Sequence, residues 1–422
     1  MNTQVTRVAT FALVLLVALI VGTTYWQVWA ASGLAEKQDN AIQRVAQFTI
    51  KRGEIRGPGG KLVYADNVKE KIKGETFYFR KYPNRGLLAQ TLGYSTQQRS
   101  RTGLEQSLND YLTGANTNLN TVIRTSLDRL KGVTITGNNV FVTVDYRAQR
   151  VAQNALGTQC GAVVVLEPST GKVLALASSP TFDLNLAEGH FDAIKRIRAN
   201  CHPASPLVNR GTASLFPPGS TFKVITAAAA LDTGKYTPES RFYDPGYCIE
   251  YGKQVKNAGD PESPEQFGTL TLFQGLEHSV NSVFCKIGIS LGAKTLLDYS
   301  KRFGFYSLPP LETPTNERAA SGLYDKGRLF FPERDSQVDP GRLAFGQERM
   351  IVTPIQMAMV AAGVANKGVV MRPYVVDRIE QPNGSLVTRT SPSMLGRAIK
   401  PQTAADLTSM MQAVVTGGTG QS

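Results

Sequence analysis

Histidine is almost missing from this sequence of 422 residues: only His190, His202 and His278 occur, and they lie far apart. No HExxH or other short donor spacing exists, which removes the common helix-borne zinc sites. The three read as surface or capping histidines. Also missing are basic runs interleaved with aromatics and any zinc-finger spacing, which excludes nucleic acid as a partner. The formal charge of +13, from 46 Lys and Arg against 33 Asp and Glu, is scattered along the chain and suits an anionic environment instead. No internal repeat with a period of about 20–50 residues is visible, so a solenoid is excluded. What remains is the composition of an ordinary globular protein, 42% apolar and 19% charged, with room for two or three domains.

Charge is absent from Val8 to Ala31, between Arg7 and Glu36. That run is long enough to cross a bilayer core, which takes about 20 apolar residues. Tyr25, Trp26 and Trp29 stand near its far end, where amphipathic rings favour the membrane interface. Residues 1–34 therefore read as a cytoplasmic stub and transmembrane anchor, with the rest exported. A signal peptide cut at Ala30 or Ala31 is the competing reading, but the run exceeds the roughly 7–15 residues of a signal core. The four cysteines all fall in the exported part, where disulfides are permitted. Three pairings are open, with buried free thiols as the alternative. The pairing Cys248–Cys285 with Cys160–Cys201 is preferred because the first pair flanks the motif at Asn281 described below. No cysteine has a suggestive histidine nearby, so a thiol nucleophile is not expected.

From about residue 35 to 145, short strand-like runs alternate with turns: Thr76 to Arg80, a turn at Gly57-Pro58-Gly59-Gly60, and Val140 to Val144. Gly161 to Leu166 and Val173 to Ala177, around the turn Pro168 to Gly171, read as a β-hairpin covered on both faces. Pro217-Pro218-Gly219 stops any helix. From Ser220 to Leu231 the chain reads as a helix apolar on nearly all sides, closed by Gly234 in a left-handed cap. A second helix is expected from near Ser279, with Val280, Phe284, Ile287 and Leu291 on its core face. A third opens at Thr353, with Pro354 at the first helical position and Gln356 completing a capping box. Leu407, Met410, Met411 and Val414 form a last stripe, read as core filling rather than a ligand site. Residues 307–339, Pro-rich and charged, are expected to form a long surface loop.

Ser220 and Lys223 make an S-x-x-K, a weak pattern alone: Ser169 to Lys172 is a second copy, in a hairpin turn where nothing holds Lys near Ser. The Ser220 copy has a helical context. Residues three apart share a helix face, so the Lys223 amine reaches the Ser220 hydroxyl. Burial lowers the amine's pKa and lets it act as a base. The helix N-terminus favours a developing oxyanion. Against this stands a capping serine with a snorkelling lysine. Ser279-Val280-Asn281 is an S-x-N just before a helix; as Ser107-Leu108-Asn109 shows, that too is weak alone, and helix capping is the plain reading. Following an S-x-x-K, it supplies a hydroxyl for proton transfer and an amide for substrate.

Ser220-Thr221-Phe222-Lys223 followed by Ser279-Val280-Asn281 resembles the penicilloyl-serine transferases. Phe216 to Gly219 looks like that family's entry to its active-site helix. Gly161 to Ser179 looks like its first hairpin, and Thr353 to Ala358 with Asn366-Lys367-Gly368 like the stretch after its second motif. Upstream, Arg52-Gly53-Glu54-Ile55 and Gly103-Leu104-Glu105 resemble the pedestal motifs of class B penicillin-binding proteins, closest to the actinobacterial type. Thr143-Val144-Asp145 with Gln149 resembles the junction between the two parts. The resemblance implies an α+β fold: a transmembrane helix, a mixed pedestal or dimerisation-like domain over 35–150, and a transpeptidase domain over 151–422, an antiparallel sheet flanked by helices plus an all-α lobe.

It also implies a peptidoglycan D,D-transpeptidase that binds penicillin and other β-lactams. Ser220 is then the nucleophile, Lys223 the base, Ser279 the proton relay and Asn281 the substrate ligand. No metal or cofactor is needed. The implied partners are peptidoglycan stem peptides, the membrane and a membrane glycosyltransferase of the shape, elongation, division and sporulation type. One departure is the family's third motif: no Lys-Thr-Gly occurs, and the glycine run Thr416 to Gly420 looks like the loop before its strand. The sequence thus reads as a copy ending before that strand, which would supply one oxyanion donor, typically worth about 10²–10³ in rate. The rivals are a non-catalytic scaffold of a wall-synthesis complex, a D,D-carboxypeptidase and a β-lactamase relative.

Overall fold

The computed structural model describes residues 2–25, 47–97, 99–115 and 136–421. Helix α1 (Asn2–Thr24) is the apolar run, and none of its Thr6–Thr24 window is buried. A helix apolar on every side and uncovered by protein is long enough to cross a bilayer. Trp26, Trp29, both candidate cleavage alanines and the boundary at residue 34 lie outside the described residues.

The first strands are β1 (Ile55–Arg56), β2 (Val63–Ile72), β3 (Glu75–Lys81) and β4 (Asn139–Val142). Helix α2 (Tyr146–Leu156) follows, capped by the Asp145 carboxylate, which accepts from the Ala148 N–H. Next come β5 (Gly161–Leu166) and β6 (Val173–Ser179), paired antiparallel as expected. Strand β6 is almost wholly buried, whereas β5 is only half-buried, because no further strand pairs with β5 among the described residues.

Helix α3 (Lys223–Asp232) buries Ile225 and Ala227 to Ala230 completely. An isoleucine so placed is worth about 1.5–3 kcal/mol of burial. Around α3 lie β7 (Arg241–Asp244), β8 (Tyr247–Glu250), β9 (Lys253–Lys256), β10 (Gly268–Thr271), α4 (Leu272–Glu277), α5 (Asn281–Leu291) and α6 (Ala293–Arg302). Further along lie β11 (Gly322–Asp325), β12 (Arg328–Phe330), β13 (Met350–Ile351), α7 (Pro354–Ala365), β14 (Val369–Met371), β15 (Val376–Glu380), β16 (Leu386–Arg389), β17 (Met394–Arg397) and α8 (Pro401–Thr416), and the other helices of four to six residues are left unlabelled.

Six strands form one sheet in the order β16-β15-β4-β1-β2-β3, with β1 and β4 parallel and the other pairs antiparallel. Strands from before and after residue 150 thus share one sheet, and the core beneath it joins Ile55, Leu104 and Val140 to Val173, Leu176 and Ile379. Gln149 stitches the same junction: its amide donates to the Leu87 and Leu176 carbonyls and accepts from the Leu176 N–H.

The motifs around Arg52 and Glu105 meet inside this unit. Arg52 donates to the Glu105 carboxylate at 2.9 Å, Arg80 donates to its other oxygen at 2.7 Å, and all three side chains are buried. Burial works to raise the Glu105 carboxyl's pKa, but Arg80 and Arg52 override it and hold it below the ordinary value. Gly53 is required there, since a Cβ on it would lie 1.8 Å from the Asn138 carbonyl oxygen.

Several local expectations are corrected. The stretch 307–339 is not one surface loop: β11 and β12 form a hairpin in it, turned by Lys326 and Gly327 with φ of 47° and 78°. Two positive-φ residues are what a tight hairpin turn requires, a signal masked by the surrounding prolines and charges. Thr353 does cap α7, accepting from the Gln356 N–H, but the Gln356 side chain donates to the Phe303 carbonyl instead of closing a capping box. The Thr353 N–H is already held by the Ser321 hydroxyl, so nothing is left for Gln356 to satisfy. The disulfides are Cys160–Cys201 and Cys248–Cys285, with Cα separations of 6.2 and 6.3 Å, inside the usual range.

Candidate active site

The approach to Ser220 is rigid. Phe216 exchanges backbone hydrogen bonds with Val352 at 2.9 and 2.8 Å, and Pro217-Pro218-Gly219 then turns the chain, with Gly219 at φ 52°. The helix does not begin at Ser220 as its periodicity suggests. Gly219–Phe222 form a 3₁₀ turn, and the α-helix starts at Lys223. The tighter turn serves the pair well: at three residues per turn, positions i and i+3 eclipse, which lines Ser220 up with Lys223. Gly346, at φ 77°, packs its backbone against this turn; a Cβ there would lie 2.3 Å from the Gly219 carbonyl oxygen.

All four residues singled out in the sequence converge. The Lys223 Nζ lies 3.2 Å from the Ser220 Oγ, 3.0 Å from the Ser279 Oγ, 2.6 Å from the Ser279 carbonyl oxygen and 2.7 Å from the Asn281 Oδ1. Lys223 is buried, and no carboxylate pairs with it among the described residues. Burial without a counter-ion pulls the amine down to about 7. Near neutrality it is therefore often unprotonated. A neutral amine has two hydrogens and one lone pair. The Ser279 carbonyl and the Asn281 Oδ1 can only accept, so they take the hydrogens, and the lone pair is left for a hydroxyl. The Asn281 amide orientation is fixed from behind, because its Nδ2 donates to the Lys256 carbonyl at 3.0 Å.

Ser279 itself is strained. It follows the end of α4 at φ 55°, a left-handed conformation that costs a non-glycine residue on the order of 1–3 kcal/mol. This conformation directs both its carbonyl and its hydroxyl at Lys223. The disulfide Cys248–Cys285 joins β8 to α5 just behind.

Beside these polar groups lies an apolar groove of about 420 Å³, lined in part by Leu276, Met357, Val360 and Met411. Met410 is fully buried in the core as expected, and Met411, packed against the same core, also lines the groove. The two competing motifs are accounted for structurally. Lys172 lies 3.9 Å from the Glu167 carboxylate, and the Asn109 Oδ1 accepts from Arg52. Among the described residues no group of three or more His, Cys, Asp or Glu side chains is placed to hold a metal ion.

The family model described as the penicillin binding protein transpeptidase domain matches residues 161–422. The chain belongs to the penicillin-binding protein transpeptidase family. A second model, the penicillin binding protein A dimerisation domain, matches residues 52–140. Among curated members of the family, the peptidoglycan D,D-transpeptidase PbpA of Mycolicibacterium smegmatis is 34% identical over 431 residues, covering 98% of this chain and 82% of that protein. Among solved structures, the imipenem acyl-enzyme complex of penicillin-binding protein A from M. tuberculosis has a TM-score of 0.76 at 32% identity, covering 87% of this chain and 83% of that one. The D,D-transpeptidase domain of a peptidoglycan glycosyltransferase from Eggerthella lenta has a TM-score of 0.73 at 31% identity, covering 88% and 83%. The α+β architecture expected from the motifs is that of penicillin-binding proteins.

Proposed function

We propose that this chain is a peptidoglycan D,D-transpeptidase acting through a serine ester and acylated by β-lactams. The observation that carries the reading is the buried Lys223 amine, without an acid partner and 3.2 Å from the Ser220 hydroxyl. Ser220 Oγ attacks the carbonyl carbon of the penultimate D-Ala of a stem peptide, and its proton passes to the Lys223 lone pair. The C–N bond to the terminal D-Ala breaks, with that amine taking a proton through the Ser279 hydroxyl. An amine of a neighbouring stem then attacks the ester, forms the new amide and returns the proton to Ser220. A β-lactam enters the first half only: its ring C–N bond breaks, the nitrogen takes the proton, and the whole ring-opened molecule stays on Ser220 as an ester. Asn281 spends one Nδ2 hydrogen on Lys256 and keeps the other for a substrate carbonyl.

Helix α1 supports a single-pass anchor with a cytoplasmic N-terminus and residues 35–150 and 151–422 outside the membrane as pedestal and transpeptidase domain. The anchor and pedestal are the surfaces through which a membrane glycosyltransferase of the elongation or division type would engage. Labelling with a fluorescent penicillin, compared between the native chain and Ser220→Ala, tests the chemistry. Label on the native chain that is absent from the variant is the expected result. A folded native chain that takes up no label would sink the proposal.

A further inference from the structure

Behind Asn281 sits a knot of three buried polar residues outside both motifs: Asp244 at the end of β7, Asn257 just after β9 and Ser282 in the first turn of α5. The Asp244 carboxylate accepts four hydrogen bonds, two on each oxygen. Gly246 N–H at 2.8 Å and the Ser282 hydroxyl at 2.5 Å reach Oδ1; the Asn257 amide at 2.8 Å and Phe267 N–H at 2.9 Å reach Oδ2. Asn257 in turn accepts from the Ser282 N–H at 2.9 Å, satisfying one of the donors that open α5, and donates to the Glu265 carbonyl. The nearby lysines are committed elsewhere: Lys256 donates to the Pro261 carbonyl and Lys286 to the Tyr243 carbonyl. No ion pair on Asp244 exists among the described residues.

Two of the knot's members are chain neighbours of site groups. Asn257 follows Lys256, whose carbonyl holds the Asn281 amide, and Ser282 follows Asn281 itself. We infer that Asp244 is a positioning residue which, through Asn257 and Ser282, fixes the orientation of the Asn281 amide and thereby keeps the Lys223 lone pair free for Ser220. The alternative orientation has a definite chemical consequence. If the Asn281 amide turned over, its NH₂ would face Lys223. The lone pair would accept from Asn281 and would no longer be available to the Ser220 proton. The ammonium form would also lose an acceptor. This inference takes the transpeptidase reading as its base for rate effects, while the titration of Lys223 does not depend on it.

Asp244→Asn is nearly isosteric but supplies fewer acceptors for the same four donors. The full chain, labelled with ¹³C at the lysine ε-carbon, is titrated by NMR, and the Lys223 signal is assigned by its loss in Lys223→Arg. The expected result is a Lys223 midpoint about one pH unit below the native one, the size of one lost hydrogen bond to a charged group. Benzylpenicillin acylation should fall about 10- to 100-fold, as small misplacements of reacting groups do. Ser282→Ala, which removes one donor only, moves the midpoint the same way by less and decides the matter if Asp244→Asn does not fold. Tyr299→Phe is the control. It removes a hydrogen bond to Asp232 at the far end of α3, so it lowers stability without moving the midpoint. An unchanged Lys223 midpoint in a folded Asp244→Asn or, if that variant does not fold, in Ser282→Ala overturns the inference. So does a matching shift in Tyr299→Phe. Absence of acylation in the native chain would count against the transpeptidase reading alone.

Discussion

Two charged groups are buried in this molecule on opposite terms. In the part before residue 145, Glu105 is held by two guanidiniums and accepts on both oxygens. In the transpeptidase domain, Lys223 is equally buried but meets only neutral oxygens. A matched buried charge is a fastener: removing one member strands the other in a poor solvent. An unmatched one is pushed toward its neutral form, which is useless for fastening and suited to taking a proton. The same protein shows both because burial fixes the cost and the neighbours decide what the cost achieves.

The comparison can be broken at either end. The largest effect belongs to Lys223→Met, which keeps the volume and removes the amine. Acylation by a penicillin should fall about 10²–10⁴-fold, the usual worth of a positioned base, while urea unfolding shows no loss of stability. A clear destabilisation would mean that Lys223 is a fastener after all. Next is Glu105→Gln, which leaves two buried arginines short of their counter-charge. It should cost about 3–5 kcal/mol in unfolding free energy, with the acylation rate of the folded fraction little changed. A cost near zero would remove the distinction between the two sites.

The smallest effect sharpens it. The Lys223 amine sits at about 7 when folded against an ordinary 10.5, so between those values the unfolded chain binds more protons at this position. Its contribution to stability therefore rises with pH across that window and is least below 7. Acylation should rise with pH up to about 7 and then level off, as the lone pair becomes free. Comparing stability at pH 6.5 and 9 in the native chain and Lys223→Met isolates this slope; equal slopes would place the titration elsewhere.

How much of this was legible beforehand follows the reach of each interaction along the chain. Ser220 and Lys223 lie three residues apart, and their apolar helical setting is a local pattern. Ser279 and Asn281 gained their meaning from following the S-x-x-K and from the family resemblance, because an S-x-N before a helix is also an ordinary cap. The strained φ of Ser279 leaves no mark in composition. Asp244, Asn257 and Ser282 are polar residues scattered over a hairpin and a helix, and only the tertiary fold brings them together. Met410 and Met411 are adjacent and both pack on the core as their stripe suggests, but one helical step of about 100° lets Met411 reach the groove as well. Arg52 and Glu105 belonged to separate motifs whose contact no spacing rule predicts.

The six-stranded sheet has a further consequence, for the order of events in biosynthesis. Strand β4 ends at Val142, but its antiparallel neighbour β15 begins at Val376. In a chain made from its N-terminus, β1 to β4 emerge early with one edge of β4 bare, and it stays so until most of the rest has followed. Such an edge invites pairing with other chains, and contacts this distant in sequence form slowly. The sheet is therefore completed only when residues 376–389 arrive, and a stalled or cleaved product that lacks β15 and β16 carries an open template for aggregation.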